Sequence, residues 1–219
     1  MKILVPIDGS EFSNHSLEFV ASRTTLLGSN PEIELMSVQA PVPARASRLI
    51  GSGSLRGYYD EEANTVLEPA VKELEKAGVK AATRFAVGEA APTIAKTAEE
   101  SGADLIIMGS HGRSALKGLL LGSVTNSVLA LSKKPVLILR NKTAPQTDSL
   151  KVGVAVDGSS YGEKAVEYIL KNHDLFGKDP VFYLMNVVSD YAGVVMPDMA
   201  GMALPTLNES EVRAMQREA

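Results

Sequence analysis

The chain is expected to fold as an α/β protein: an open five-stranded parallel sheet with helices on both faces, followed by a partial second copy of its own opening. Three observations predict this. Short apolar runs rich in Ile, Leu and Val alternate with segments whose apolar residues recur at helical spacing, the pattern of successive βαβ units. A stretch punctuated by glycines, residues 109–124, links the fourth apolar run to a helix. The opening residues also recur from residue 150 in unbroken register.

Taken in order, Lys2–Ile7 is a buried strand that ends at Asp-Gly-Ser. Ser10 is placed to N-cap a helix whose inner face is Leu17, Val20, Ala21 and Leu27, and Gly28 to Pro31 stop it. Ile33–Val38 forms the second strand. A loop rich in Pro, Gly and Ser is expected from Gln39 to about Gly57, carrying Arg45, Arg48 and Arg56 with no acidic residue among them. Such a loop is a solvated connection, a segment that closes over phosphates, or a partner surface. A helix then opens at Asp60, with Ala63, Leu67, Ala70, Val71 and Leu74 inward. Pro69 is expected to kink or locally break it, and Gly78 ends it. Val79–Val87 is the third strand. The next helix starts within Gly88–Pro92, with proline in the first turn where its missing N–H costs little. Asp104–Met108, a helix over Ser123–Leu131 and a strand over Val136–Leu139 complete the sheet. Parallel sheets of this kind bind ligands beyond the C-terminal strand ends, where Asp8, Val38 and Gly109 fall.

Bulk properties narrow the function classes. The chain has 219 residues, 45% of them apolar, which is enough for a sizeable core. A net charge of −4 and a pI near 5.5 argue against nucleic acid as a partner. The chain lacks cysteine, so neither disulfides nor thiolate metal ligands enter. The start is too soon charged for a secretory signal, and no apolar run approaches the roughly 20 residues of a membrane span. A cytoplasmic location is the expectation.

The chemistry concentrates in residues 109–124. Gly109, Gly112 and Gly122 permit close backbone approach, and a helix N-terminus following Gly122-Ser123 favours an anion. Arg113 and Lys117 are placed to add charge, and the Ser123 hydroxyl to donate to a phosphate oxygen. The stretch is not a Walker A loop, since no Gly-Lys-Ser/Thr is present, and it does not fit the dinucleotide fingerprint Gly-x-Gly-x-x-Gly. Asp8 is either a turn former before glycine or a ligand for ribose hydroxyls or Mg²⁺. His111 has no carboxylate placed in sequence to orient it. His15, His111 and His173 lie far apart, and Ser10, Ser123 and Ser159 lack a nucleophile-elbow context. No catalytic constellation is evident.

The spacing Gly109-x2-Gly112-x9-Gly122-Ser123, followed by Val124-Thr125, resembles the ATP-binding signature of universal stress proteins. The opening Ile3 to Ser10 and the closing Lys134 to Leu139 are similar to that family's ends, so the resemblance runs over residues 1–140. It implies an adenine-nucleotide-hydrolase-like sheet with strand order 3-2-1-4-5. It further implies one ATP, with Pro6, Ile7, Asp8 and Val38 on the adenine–ribose side. Met108, Gly109, Gly112, Arg113, Gly122, Ser123, Val124 and Thr125 match the phosphate-facing segment. Asp8 is the candidate ligand for a Mg²⁺ shared with the phosphates. The expected role is a nucleotide-dependent regulatory or stress-response protein, acting as a homodimer or larger oligomer with a protein partner not identified by the residues. Two alternatives stay open: a slow ATP hydrolase or other nucleotide-processing enzyme, and an interaction module without nucleotide.

Residues 141–149 read as a polar linker. From residue 150 the opening repeats at an offset of 149 residues: Lys151 falls on Lys2, Asp157 on Asp8, Glu167 on Glu18 and Leu184 on Leu35. The same register over about 38 positions points to duplication. Residues 150–219 hold the first half of the copy: strand, helix, strand and a loop with Met196, Met199 and Met202. That copy has no counterpart of the glycine loop.

Overall fold

The computed structural model describes residues 1–22, 31–44, 52–112, 121–140 and 149–187. It falls into two units, one up to Gln146 and one from Thr147. In the first unit β1 (Lys2–Pro6), β2 (Glu32–Gln39), β3 (Ala81–Val87), β4 (Leu105–Gly109) and β5 (Val136–Leu139) form one sheet in the order β3-β2-β1-β4-β5. Every neighbouring pair is parallel, as βαβ connection requires. The helices are α1 (Glu11–Ser22), α2 (Ser52–Lys76), α3 (Ala90–Glu100) and α4 (Ser123–Leu131).

The central strands β1, β2 and β4 are buried on both faces because helices pair on each, while the edge strand β3 is largely exposed and β5 half-buried. α1 packs on α2 and α3 on α4. Leu4, Met36, Ile106 and Met108 meet Ala91, Ile94, Ala98 and Val128 beneath α3 and α4. Strand alternation turns Ile3, Val5, Ile33, Leu35 and Ile107 to the opposite face, and all five are buried. The small residues Ala91, Ala95 and Ala98 let α3 lie close to the sheet. One charged side chain enters this layer. Glu34 on β2 is buried and paired with Arg84 Nε of the neighbouring β3 at 2.7 Å, which offsets the cost of removing a carboxylate from water.

Three expectations are corrected. The helix expected from Asp60 begins at Ser52, so Arg56 stands on α2 rather than in a loop. Arg45 and Arg48 lie outside the described residues. The early turns are tied down by tertiary contact: the Val42 N–H donates to the Tyr59 hydroxyl at 2.7 Å. Pro69 does not break the helix, which runs through it for 25 residues to Lys76. Burial of Ala63, Leu67, Ala70 and Leu74 on one stripe outweighs the single lost hydrogen bond. The third strand starts at Ala81, after a turn in which Gly78 takes φ 75°. Gly57, by contrast, sits inside α2 with open space where a Cβ would be. Gly57→Ala is therefore expected to stabilise the protein by about 0.4–1 kcal/mol in urea unfolding, mainly by restricting the unfolded chain.

The second unit pairs β6 (Lys151–Ala155) with β7 (Val181–Met185) in parallel, joined through α5 (Ser160–Lys171) and a 3₁₀ turn at His173–Phe176. Its register, Lys151↔Val181, is that of Lys2↔Glu32 displaced by 149 at both partners. The details follow. Val156 N–H donates to the Met185 carbonyl at 2.9 Å, as Ile7 N–H does to Met36 at 2.8 Å. Gly158 and Gly9 both take φ 77°. Leu35 and Leu184 differ sharply in burial, at 0% and 69% exposed, since no helix layer equivalent to α2 and α3 covers β7 among the described residues. Met196, Met199 and Met202 lie outside the described residues, as does the expected linker up to residue 148.

Candidate functional site

The site is built where β1 and β4, adjacent in the sheet, end side by side. β1 gives way after buried Pro6 and Ile7 to the turn Asp8-Gly9-Ser10. The Asp8 carboxylate accepts the Ser10 N–H through Oδ1 at 3.0 Å, closing an Asx turn over left-handed Gly9. Ser10 then caps α1, its Oγ accepting the Ser13 N–H at 3.3 Å. Asp8 is thus both turn former and strand-end carboxylate; the two roles are compatible. The second unit repeats the turn, with Ser159 N–H on Asp157 Oδ1 at 3.0 Å. There the hydrogen bonds from Ser159, side chain first and then backbone, hold the Asp157 carboxyl below its ordinary value.

The glycines set how closely the elements at this site approach one another. A Cβ on Gly109 would stand 2.5 Å from the Phe12 carbonyl oxygen, so this glycine lets the first turn of α1 close onto the end of β4. A Cβ on Gly112 would stand 2.7 Å from Asp8 Oδ2, and one on Gly122 3.1 Å from the His111 Cα. The loop's entry and exit therefore meet at backbone distance, and the Asp8 carboxylate lies against Gly112. Gly122 N–H closes the loop on the Ser110 carbonyl at 2.8 Å, while Ser110 N–H holds Leu139 of β5 at 2.9 Å. Arg113 and Lys117 lie outside the described residues.

Beyond Gly122, the N-cap of α4, the first intrahelical bond runs from Asn126 N–H to the Gly122 carbonyl. The N–H groups of Ser123, Val124 and Thr125 consequently have no acceptor within their own helix. Ser123 and Val124 are exposed, but Thr125 is buried and its hydroxyl donates to the Gly109 carbonyl at 3.0 Å. Thr125 thereby fixes the helix start against the strand end, and what it can offer an anion is its backbone. Thr125→Val, which keeps the shape but loses the bond, should cost about 1 kcal/mol in urea unfolding. Val38 lies next to the end of β2 and Met108 is buried in β4; Met108 is core, packed under α3 and α4.

Two participants carried no sequence signal. Phe12 supplies the backbone against Gly109, and its ring lies 5.1 Å from that of His111. Ser110, buried, bonds His111 Nδ1 through Oγ at 3.1 Å. His111 is thus oriented by a hydroxyl and an aromatic ring. His15, buried on α1 behind Phe12, makes an edge contact with it at 5.9 Å. No group of three His, Asp or Glu side chains suited to a metal is present among the described residues.

Comparison with known proteins gives the architecture a family. Residues 1–140 match the universal stress protein family. The chain belongs to the universal stress protein family. A universal stress protein of Methanocaldococcus jannaschii is 37% identical over 158 residues, covering 65% of this chain and 96% of its own. One of Bacillus subtilis is 37% identical over 147 residues, covering 64% and 98%. The solved structure of the Methanocaldococcus protein, at 39% identity, covers 65% of this chain and 97% of its own with a TM-score of 0.55. A universal stress protein from Archaeoglobus fulgidus, 26% identical, covers 85% and 79% with a TM-score of 0.64. The five-stranded order and its flanking helices are the universal stress protein fold. None of the described helices is long and apolar enough to cross a membrane.

Proposed function

We propose that this universal stress protein binds one ATP at the joined ends of β1 and β4, and that occupancy regulates its assembly or its contact with a protein partner. The observation that carries this reading is the N-terminus of α4. Three backbone N–H groups without a helical acceptor follow a loop whose glycines leave no room for a Cβ at its entry, Gly109, and little at its exit, Gly122. Such a start favours phosphate through its N–H groups and its dipole. The spacing of Gly109, Gly112, Gly122 and Ser123 is that of the family's ATP-binding signature. In this reading Pro6, Ile7, Asp8 and Val38 flank the adenosine, and Arg113 adds charge on the phosphate side.

The residues fit Mg²⁺ only in a subordinate role. Asp8 offers one carboxylate, with Oδ1 already accepting from Ser10. A Mg²⁺ here would rest on the phosphates and its own waters, with at most one protein oxygen. When bound it would neutralise phosphate charge; Asp8 would orient it. The reading extends to organisation: residues 1–140 form the nucleotide domain and 150–219 a partial second repeat, supported by the displaced register of β6 and β7. The ATP proposed here is that of the domain over residues 1–140, whose strand ends carry both Asp8 and the glycine loop. The proposal includes a cytoplasmic homodimer or larger oligomer.

Isothermal calorimetry with Mg-ATP tests the reading. Saturable heat with one site per chain and a dissociation constant below about 1 mM, or more than roughly 4 kcal/mol of binding, is expected. No heat would overturn it and favour an interaction module. Repeated turnover that Asp8→Ala abolishes while binding persists would make the protein an ATP hydrolase instead.

A further inference from the structure

The second unit leaves an apolar sheet face open, and the displaced register indicates what covers it. Val152, Val154, Phe182 and Leu184 share one face by strand alternation and stand at the places of Ile3, Val5, Ile33 and Leu35. In the first unit α2 lies over β2 on this face, and Ile33 and Leu35 are buried. In the second unit Leu184 is left exposed. Val166 and Ile169 of α5 are half-buried, whereas Leu17 and Val20, their counterparts on α1, are buried. The turn before each helix shows the same gap. Gly9 and Gly158 both take φ 77°, and a Cβ on Gly9 would meet Val66 of α2 at 3.5 Å. A Cβ on Gly158 would meet no described atom within 4 Å. The three observations outline one element, a helix beside α5, over β7 and against the Gly158 turn.

We propose that residues 206–219 of the same chain are that cover, taking the place of α2 with Val212 and Met215 toward Leu184 and the Gly158 turn. These residues lie outside the described part of the chain, and the pattern is one of sequence. Displacement by 149 carries Leu55, Ala63, Val66 and Ala70, buried or half-buried on α2, onto Leu204, Val212, Met215 and Ala219. It carries the exposed Glu62, Asn64 and Glu68 onto Glu211, Arg213 and Arg217. An apolar stripe with charges on the other side is what a helix on a sheet requires. Tyr59 and Leu67 fall on Asn208 and Gln216, so the stripe is narrower than that of α2. Thr206 with Glu209 three residues later, just after Pro205, is a helix-start pattern. The chain itself tethers this segment to β7, which raises its effective concentration over that of any separate partner. The inference rests on the reading of residues 150–219 as a partial repeat and is independent of the nucleotide.

The chain has no cysteine, so a nitroxide can be placed on a single introduced one. The test labels Arg213→Cys in the ¹⁵N-labelled full chain and compares its amide signals with those after the nitroxide is reduced. Broadening of Gly158 and of Phe182 to Met185 is expected. It should be lost when Val212→Asp and Met215→Asp are added and kept with Ala214→Glu, on the outward side. Amide exchange from Val212 to Ala219 should be about tenfold slower, or more, than in the Asp double variant. Absence of broadening at both Gly158 and β7 would overturn the proposal. So would broadening of ¹⁵N chains without nitroxide when mixed with nitroxide-bearing ¹⁴N chains, which would make the cover a second copy. Amide contacts between Lys151 and Val181 report on the repeat separately. Without them the repeat reading falls together with the cover; with them but no broadening, the cover alone falls. If the double variant fails to fold, the labelled chain without it decides.

Discussion

Gly109→Val is expected to be the most damaging single substitution at the site, lowering stability and removing nucleotide binding together. The added Cβ would lie 2.5, 2.7 and 2.9 Å from the Phe12 carbonyl oxygen, carbonyl carbon and Cβ. Two of these are backbone atoms, which no rotamer change can move. Either α1 lifts from the sheet or β4 shifts against β5, and both carry buried side chains with them, including Phe19 and Val20 of α1. Overpacking of this kind costs about 1–3 kcal/mol, and valine's two further methyls place it at the upper end. The displaced Gly109 carbonyl would also lose the Thr125 hydroxyl, loosening the start of α4. Gly102→Ala provides the contrast. That glycine takes φ 69° with no atom within 4 Å of the added Cβ, so only left-handed backbone strain of roughly 1–2 kcal/mol applies. Urea unfolding and ATP calorimetry on both variants check the pair: Gly109→Val should lose stability and binding, Gly102→Ala stability alone. Full ATP binding by Gly109→Val would show that closure of α1 onto β4 is unnecessary for the site.

These expectations also mark what could be read from residues alone. Strands such as Ile3–Val5 and Leu105–Met108 were legible because burial on both faces demands continuous apolar runs, and the chain supplies them. The start of α2 was not, because Ser52, Gly53, Ser54 and Gly57 have the composition of a loop. What makes them helical includes a hydroxyl on Tyr59 that accepts from Val42, a contact made only in the folded chain. The glycine loop was legible from spacing as the link between a strand end and a helix start. Its internal logic was not: the neighbour that demands glycine at 109 is Phe12, almost a hundred residues away in sequence. Glu34 is similar, a carboxylate within a buried strand whose partner, Arg84, stands on the adjacent strand. Local pattern reports period and punctuation; which backbone meets which is settled by the sheet order.

Gly122→Val should separate binding from folding, which Gly109→Val cannot do. Its Cβ would meet the His111 Cα at 3.1 Å, the Ser110 carbonyl oxygen at 3.4 Å and the Gly112 nitrogen at 3.7 Å. These contacts are tight but belong to the loop's rim, and Gly122 itself is only half-buried. The N-terminus of α4 can move outward by a fraction of an ångström without opening the sheet, so the stability loss should stay near 1 kcal/mol. Binding has no such latitude. The N–H groups of Ser123, Val124 and Thr125 act on one phosphate only if held together, and charge-assisted bonds are worth about 1.5–3 kcal/mol each. Losing the alignment of even two gives an expected fall in ATP affinity of roughly 100-fold or more, at about 1.4 kcal/mol per tenfold. Gly112→Ala should act differently, since its Cβ meets the Asp8 carboxylate, a side-chain group able to swing aside. It is expected to leave the fold intact and weaken ATP binding by disturbing Asp8 rather than α4. Calorimetry of wild type, Gly122→Val and Gly112→Ala, with Gly57→Ala as an unaffected control, measures the ranking. Unchanged heat for Gly122→Val would mean that the helix start is only a cap and that any nucleotide is held elsewhere.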